Sequence, residues 1–187
     1  MDAKQFFQIL SVAERLKCNT RHSVTSTGRP ESVAEHSWRI SLMAMLVAPE
    51  FPEADMNKVI RMCLIHDLGE AFTGDIPAFD KTEEDVRRED AAFAAWVETL
   101  PEETGVEFRN LLEEMNALET LEAKIYKALD KMEAVIQHNE ADLSSWLPLE
   151  YELQLVYGEE NVQFSPWFRQ LKEEVNQWTR EKIREGK

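Results

Sequence analysis

Apolar residues recur every three or four positions along most of the chain, the spacing that gathers them on one face of an α-helix. Phe6, Leu10 and Ala13 step by four and three, with Phe7, Ile9, Val12 and Leu16 flanking them, and predict a buried stripe on a first helix over 3–17. From Asn19 to Pro30 the periodicity stops, and Thr, Ser, Gly28 and Pro30 predict a loop carrying Arg21 and Arg29. Ser32 followed by Glu35 has the spacing of a capping box, so a second helix starts there and runs to Val47, with Val33, His36, Ile40, Met43 and Val47 inside. Beyond Pro49–Pro52, Asp55 or Asn57 starts a third helix that is apolar nearly all round from Val59 to Ile65, and hence central. It carries His66-Asp67 at its C-terminal end, before Gly69 and Gly74 release the chain into a loop containing Pro77.

The highly charged stretch from Lys81 to Leu100, with Ala91, Phe93, Ala94, Trp96 and Val97 inside, predicts a surface helix ended by Pro101. Another helix covers 102–116. Leu118, Leu121, Ile125, Leu129, Met132 and Ile136 then step by three or four over five turns, the strongest helical signal in the chain, with Asp130 beside the stripe. A short helix over 147–156 and a last amphipathic one from Pro166 to Arg184 complete the series. The expected fold class is all-α: a compact bundle of seven or eight helices, with no convincing strand. Without an internal repeat or linker, 1–187 is expected to form a single domain.

Composition narrows the function classes. With 43% apolar residues over 187 positions the chain can bury a substantial core, and six Gly and seven Pro provide little punctuation for an all-β fold. Its 21 Lys+Arg against 36 Asp+Glu give a net charge of −15, which repels a phosphate backbone and argues against long nucleic acid as a partner. No apolar run approaches the length of a membrane span, and Met1-Asp2-Ala3-Lys4-Gln5 lacks the basic-then-apolar pattern of a signal peptide. Cys18 and Cys63, far apart in different predicted helices, read as small buried hydrophobes in a reducing compartment, so a cytoplasmic location is expected.

Four residues put metal-ligand chemistry on or beside faces that otherwise point into the core: His36, His66, Asp67 and Asp130. Taken alone, His36 reads more readily as a satisfied core histidine than as a ligand. An imidazole and a carboxylate together at the end of a buried helix, however, leave a charge near the core that a cation would neutralise. Asp130 poses the same problem, and its neighbours Lys127 and Lys131 are expected to point outward. Two imidazoles and two carboxylates suit Mn, Co, Ni, Fe or Zn with room for water, and the lack of thiolates argues against a closed structural zinc site. Glu70, four residues after His66, falls on the same side if the helix persists through Gly69, and Asp75 can enter from the loop; a solvated helix end and a turn residue are the plainer alternatives. His138 reads as a partner of its helix C-terminus rather than a ligand, and Glu83 to Asp90 as a solvated face. Nothing resembles a Gly-rich phosphate loop, a Ser/His/Asp triad or a Cys nucleophile.

The order His36, His66-Asp67, Asp130 along a helical chain resembles the H…HD…D signature of the HD-domain superfamily of metal-dependent phosphohydrolases. Arg29-Pro30-Glu31-Ser32-Val33-Ala34-Glu35-His36-Ser37, His66-Asp67-Leu68-Gly69-Glu70, Thr73-Gly74-Asp75-Ile76-Pro77 and Ala128-Leu129-Asp130-Lys131 are similar to its 5′-deoxynucleotidase branch, with the likeness reaching from the first helix to about Asn139. The resemblance implies one divalent transition metal (Mn, Co, Zn, Fe or Ni) held by His36, His66, Asp67 and Asp130, catalytic roles for Glu70 and Asp75, and a phosphate contact from Arg21. Arg29 lies in a family-like word as a further substrate contact, but is equally placed to pair with Glu31 or Glu35. At His22 the sequence departs: the related enzymes place Trp there, crowding the sugar 2′ position, and a smaller polar ring leaves the choice between deoxyribose and ribose open. A small nucleoside 5′-monophosphate substrate and a homodimer are further implications. Another small phosphomonoester, a cyclic phosphodiester, or a non-catalytic nucleotide-binding module are the alternatives.

Overall fold

The computed structural model describes residues 1–186. In chain order the elements are α1 (Ala3–Arg15), β1 (Thr20–Val24), β2 (Pro30–Ser32), α2 (Val33–Val47), α3 (Met56–Ile65), the single turn α4 (Glu70–Thr73), α5 (Glu83–Val97), α6 (Glu102–Ala117), α7 (Leu121–Glu140), α8 (Glu150–Val156) and α9 (Pro166–Glu185). Three short 3-10 turns, Ala48–Glu50, Leu143–Ser145 and Glu160–Val162, link them.

The long helix α7 is the hub. It packs against α2, α3, α6 and α9, and Ala123, Ile125, Ala128, Leu129, Met132 and Val135 on it have no solvent exposure. Against them stand Val33 and Ile40 of α2, Val59 and Met62 of α3 and Phe168 of α9, also sealed from water. Burial on nearly every side also encloses polar residues of α7, Asp130, Glu133, Gln137 and Asn139, and each must find a partner or cost free energy. The helix starts are set as the sequence predicts. Ser32 accepts from the Glu35 amide while the Glu35 carboxylate takes the Ser32 N–H, at 3.2 and 2.8 Å, which fixes the entry to α2 four residues before His36.

Several expectations are corrected. Residues 19–30 are no plain loop: β1 and β2 form a small antiparallel ribbon, with Thr20 opposite Ser32 and Val24 opposite Pro30, closed by a turn in which Gly28 takes φ +79°. On α1, Phe6 and Leu10 remain 49% and 47% exposed, and the face turned inward is that of Val12, with Leu16 just beyond it. Leu118 is the left-handed cap of α6, so α7 begins three residues later than the stripe suggested. Cys18 is exposed in the turn after α1 instead of buried in a helix, whereas Cys63 is buried in α3. No helix among the described residues is long and apolar enough to cross a membrane.

Candidate active site

His36 leaves the first turn of α2, His66 caps the C-terminus of α3, Asp67 follows it, and Asp130 lies midway along α7, so three packed helices converge their donor atoms. His36 Nε2 is 3.3 Å from Asp130 Oδ1 and 4.0 Å from Asp67 Oδ2. His66 Nε2 is 2.9 Å from Asp67 Oδ2 and 3.9 Å from Asp130 Oδ1. The other nitrogen of each ring is already committed. His36 Nδ1 donates to the Glu133 carboxylate, and His66 Nδ1 donates to the Cys63 carbonyl at 2.9 Å. In a neutral ring Nε2 is then a lone pair, and here two lone pairs face two carboxylates. His36 Nε2, His66 Nε2 and Asp67 Oδ2 are buried with no hydrogen-bond partner among the described residues. Acceptors facing acceptors out of water call for a cation, and imidazoles oriented through Nδ1 by a carboxylate or a carbonyl are what metal ligands require. The donor set fits a divalent transition ion.

A cleft of about 180 Å³ opens beside this cluster. Its walls bring together Arg21, His22, Glu70, Asp75, Lys127 and Lys131 with Asp67 and Asp130. Arg21, on β1, is 3.5 Å from Asp67 through Nη1 and 3.5 Å from Glu31 through Nε. Burial alone would lower its pKa, but Asp67, Glu133, Asp75 and Asp130 outweigh that and keep it charged. Burial pushes Asp67 up, yet His66, His36 and Arg21 hold it well below the usual carboxylate range.

The helix does not persist through Gly69. Instead α3 stops at Ile65, the chain turns through 66–69, and α4 restarts at Glu70, a residue 3% exposed that lines the cleft. Asn19 supports that turn by donating to the Glu70 carbonyl at 2.5 Å. Burial, then repulsion from Asp67 and Asp75, pushes the Glu70 carboxyl up to about 10. Asp75 follows Gly74, whose φ of +79° turns the chain back to the cleft.

Two placements differ from expectation, and Arg29 takes the second of the two alternatives left open for it. Lys127 and Lys131 do not point outward: their ammonium groups reach Asp130 Oδ2 at 2.9 and 3.7 Å. Arg29 makes a two-pronged pair with Glu35 at 2.7 and 3.1 Å on the exposed surface, outside the cleft lining, because the turn of the ribbon carries it over the start of α2. His138 does sit in the last turn of α7, but its ring lines the cleft and meets Glu150. His22 lies in the cleft edge-on to Phe79, with Nε2 3.3 Å from Glu150 Oε1.

Sequence reasoning also missed Glu133 and Glu31. Glu133 is fully buried one turn beyond Asp130, and Glu31, 3% exposed, accepts from Ser23 at 2.8 Å and pairs with Arg21. The signal for Glu133 was its i+3 spacing from Asp130 on a helix otherwise apolar toward the core.

A helical hub that converges two histidines and two aspartates beside a cleft carrying Arg21, Lys127 and Lys131 has the donor set of a metal-dependent hydrolase, with cations placed for an anionic substrate. The family model described as HD domain matches residues 13–172, and the chain belongs to that family. It is similar to the human 5′-deoxynucleotidase HDDC2, 33% identical over 142 residues that cover 74% of this chain and 69% of that protein. The Dictyostelium discoideum 5′-deoxynucleotidase HDDC2 is 35% identical over 143 residues, 71% of this chain and 74% of its own. Among solved structures, a predicted metal-dependent phosphohydrolase from Magnetospirillum magnetotacticum superposes with a TM-score of 0.81 at 28% identity, covering 98% of this chain and 93% of that one. The protein is thus an enzyme, a metal-dependent phosphohydrolase.

Proposed function

We propose that the enzyme hydrolyses nucleoside 5′-monophosphates, deoxynucleotides among them, to nucleoside and phosphate, using one hydrolytic divalent ion held by His36, His66, Asp67 and Asp130. The observation that carries the reading is the pair of buried Nε2 lone pairs facing two carboxylates at the rim of a cleft that concentrates Arg21, Lys127 and Lys131 in an otherwise acidic protein. The relatives named 5′-deoxynucleotidase support the choice of substrate class.

When bound, the ion supplies Lewis acidity: it offsets charge developing on the phosphoryl oxygens and lowers the pKa of water. The chain supplies the rest. The Arg21 guanidinium, pre-positioned by Glu31 and Asp67, offers a planar fork to a phosphate dianion. Lys127 and Lys131 add point charges whose present partner, Asp130, is the one that a metal would share. Glu70, buried and inclined to keep its proton, and Asp75 at the loop form a pair of carboxyls in unlike surroundings, able to divide proton acceptance from water and donation to the leaving oxygen. Following the family resemblance, a cytoplasmic homodimer is part of the reading.

Phosphate release from a panel of 5′-, 3′- and 2′-deoxy and ribo monophosphates, after stripping and reconstitution with Mn, Co or Zn, tests it. Release from the 5′-monophosphates, abolished by His66→Ala and by Glu70→Ala, is expected. Folded protein that binds the ion at His66 yet releases phosphate from none of the panel refutes the substrate assignment.

A further inference from the structure

Farther along the same cleft, β1, α7 and α8 bring a second set of nitrogen and oxygen donors together: His22, His138 and Glu150. His138 Nδ1 lies 2.8 Å from the Ala134 carbonyl of its own helix. A carbonyl only accepts, so Nδ1 carries the proton, and in the neutral ring Nε2 is a lone pair. That lone pair faces Glu150 Oε1 at 2.9 Å. Glu150 is 1% exposed and its other oxygen, Oε2, is taken by the Leu147 N–H at 2.7 Å, so Oε1 alone faces the cluster. His22 Nε2 stands 3.3 Å from the same Oε1, shielded from solvent and without a hydrogen-bond partner among the described residues. The three ligand atoms lie within 4.8 Å of one another.

A proton on His138 Nε2 would satisfy the Glu150 contact but leave His22 Nε2 orphaned, at the cost that a buried unpaired polar atom carries. A cation satisfies all three atoms together. The orientation of His138 through a backbone carbonyl on Nδ1 repeats what Cys63 does for His66 in the hydrolytic cluster. Two imidazoles and one carboxylate on packed elements, with remaining positions toward a cleft, suit a borderline transition ion such as Zn²⁺ or Co²⁺ and not Mg²⁺, which prefers oxygen. His138 follows Asp130 by eight residues on α7, so about 12 Å of helix axis separates the two clusters.

We propose that His22, His138 and Glu150 form a second divalent-cation site, whose open positions take a hydroxyl or other oxygen of a ligand lying in the cleft. The inference does not depend on which phosphate ester the hydrolytic centre cleaves.

Metal content of stripped protein re-equilibrated with buffered Zn²⁺ or Co²⁺, together with titration by the metal alone, tests it. Wild type is expected to bind two ions per chain. Glu150→Gln, which keeps an acceptor for the Leu147 N–H, and the less disruptive His22→Asn should each bind one or weaken the second at least tenfold. His66→Ala should lose the other ion and keep this one, so that failure of the hydrolytic reading and failure of this site give different patterns. A single ion per wild-type chain that His66→Ala removes, or ions undiminished in both Glu150→Gln and His22→Asn with circular dichroism showing native folds, overturns the proposal.

Discussion

Glu133→Gln probes whether the proposed hydrolytic ion is tuned by a residue outside its ligand set. Glu133 has no solvent exposure; its carboxylate takes the His36 Nδ1–H, and its other oxygen lies 3.6 Å from Arg39. Gln keeps the volume and an acceptor oxygen for His36 but removes the negative charge that makes the imidazole a stronger donor at Nε2. Mutating such an outer partner of a metal-bound histidine typically costs 10–100-fold in affinity, about 1.4–2.7 kcal/mol. The fold should survive. Glu31 is pushed up first by burial and next by repulsion from Glu133, so a neutral amide relieves that repulsion, and Arg39 retains its two-pronged pair with Glu140 at 2.7 and 2.8 Å. Glu133→Ala, by contrast, strands the buried His36 Nδ1–H and is expected to cost roughly 1–3 kcal/mol before any cavity term. Competition against a chromophoric chelator, with Zn²⁺ at fixed pH and His66→Ala marking the ion measured, gives the ratio of dissociation constants, and melting of the metal-free proteins checks the folds. An affinity within twofold of wild type for Glu133→Gln would refute the argument that this carboxylate strengthens the site.

Gly158 has φ +75°, and a Cβ there would meet Lys131 Cβ at 2.6 Å and Met132 Cε at 2.9 Å; Gly158→Ala should therefore destabilise by about 2–5 kcal/mol from backbone strain plus overpacking. Gly28, with a similar φ of +79° and nothing within 4 Å, serves as the control, losing only about 1–2 kcal/mol; equal urea midpoint shifts for the two variants would contradict the packing account. Lys172, 2% exposed and donating to the Gln154 carbonyl at 3.0 Å, is held down to about 8 by burial against 10.5 for the unfolded chain. Between those values the unfolded state binds more protons, so wild-type stability gains as pH rises through that window. The stability advantage of Lys172→Met over wild type should accordingly shrink from neutral pH to about pH 10, and a difference that does not change with pH would rule out a charged, desolvated Lys172.

What the sequence disclosed and what it withheld divide by the range of the interactions. The start of α2 was legible because Ser32 and Glu35 settle it within one turn, and α7 was legible because its stripe repeats over five. His36, His66-Asp67 and Asp130 were conspicuous as polar residues on faces that should have been apolar. The ribbon of β1 and β2 was not, since strands of five and three residues leave no periodic trace. Exposed Phe6 and Leu10 show that an amphipathic stripe reports a preference for burial without naming a partner surface. Lys127 and Lys131 were misdirected because a long flexible side chain can fold back along its helix to a carboxylate within reach, a freedom that Cα spacing does not encode.

His22 and Glu150 are separated by 128 positions and share no local pattern, so only the fold could bring them together. Their meeting changes the meaning of the departure from Trp at position 22. A smaller ring alone would merely widen the cleft, but His22 Nε2 lies 3.3 Å from Glu150 Oε1 beside His138, and His138 is carried by α7, the same helix that positions Asp130. One rigid helix thus sets the spacing between the hydrolytic cluster and the second one, about 12 Å along its axis. On the proposed reading, a ligand whose phosphate lies at Asp130 has His22 and His138 within the same cleft to meet its remaining part. If the second cluster meets that part as proposed, substitutions at His138 or Glu150 should alter which of the proposed monophosphates are cleaved while leaving His36, His66, Asp67 and Asp130 in place; identical substrate ratios in wild type and Glu150→Gln would refute that division of labour.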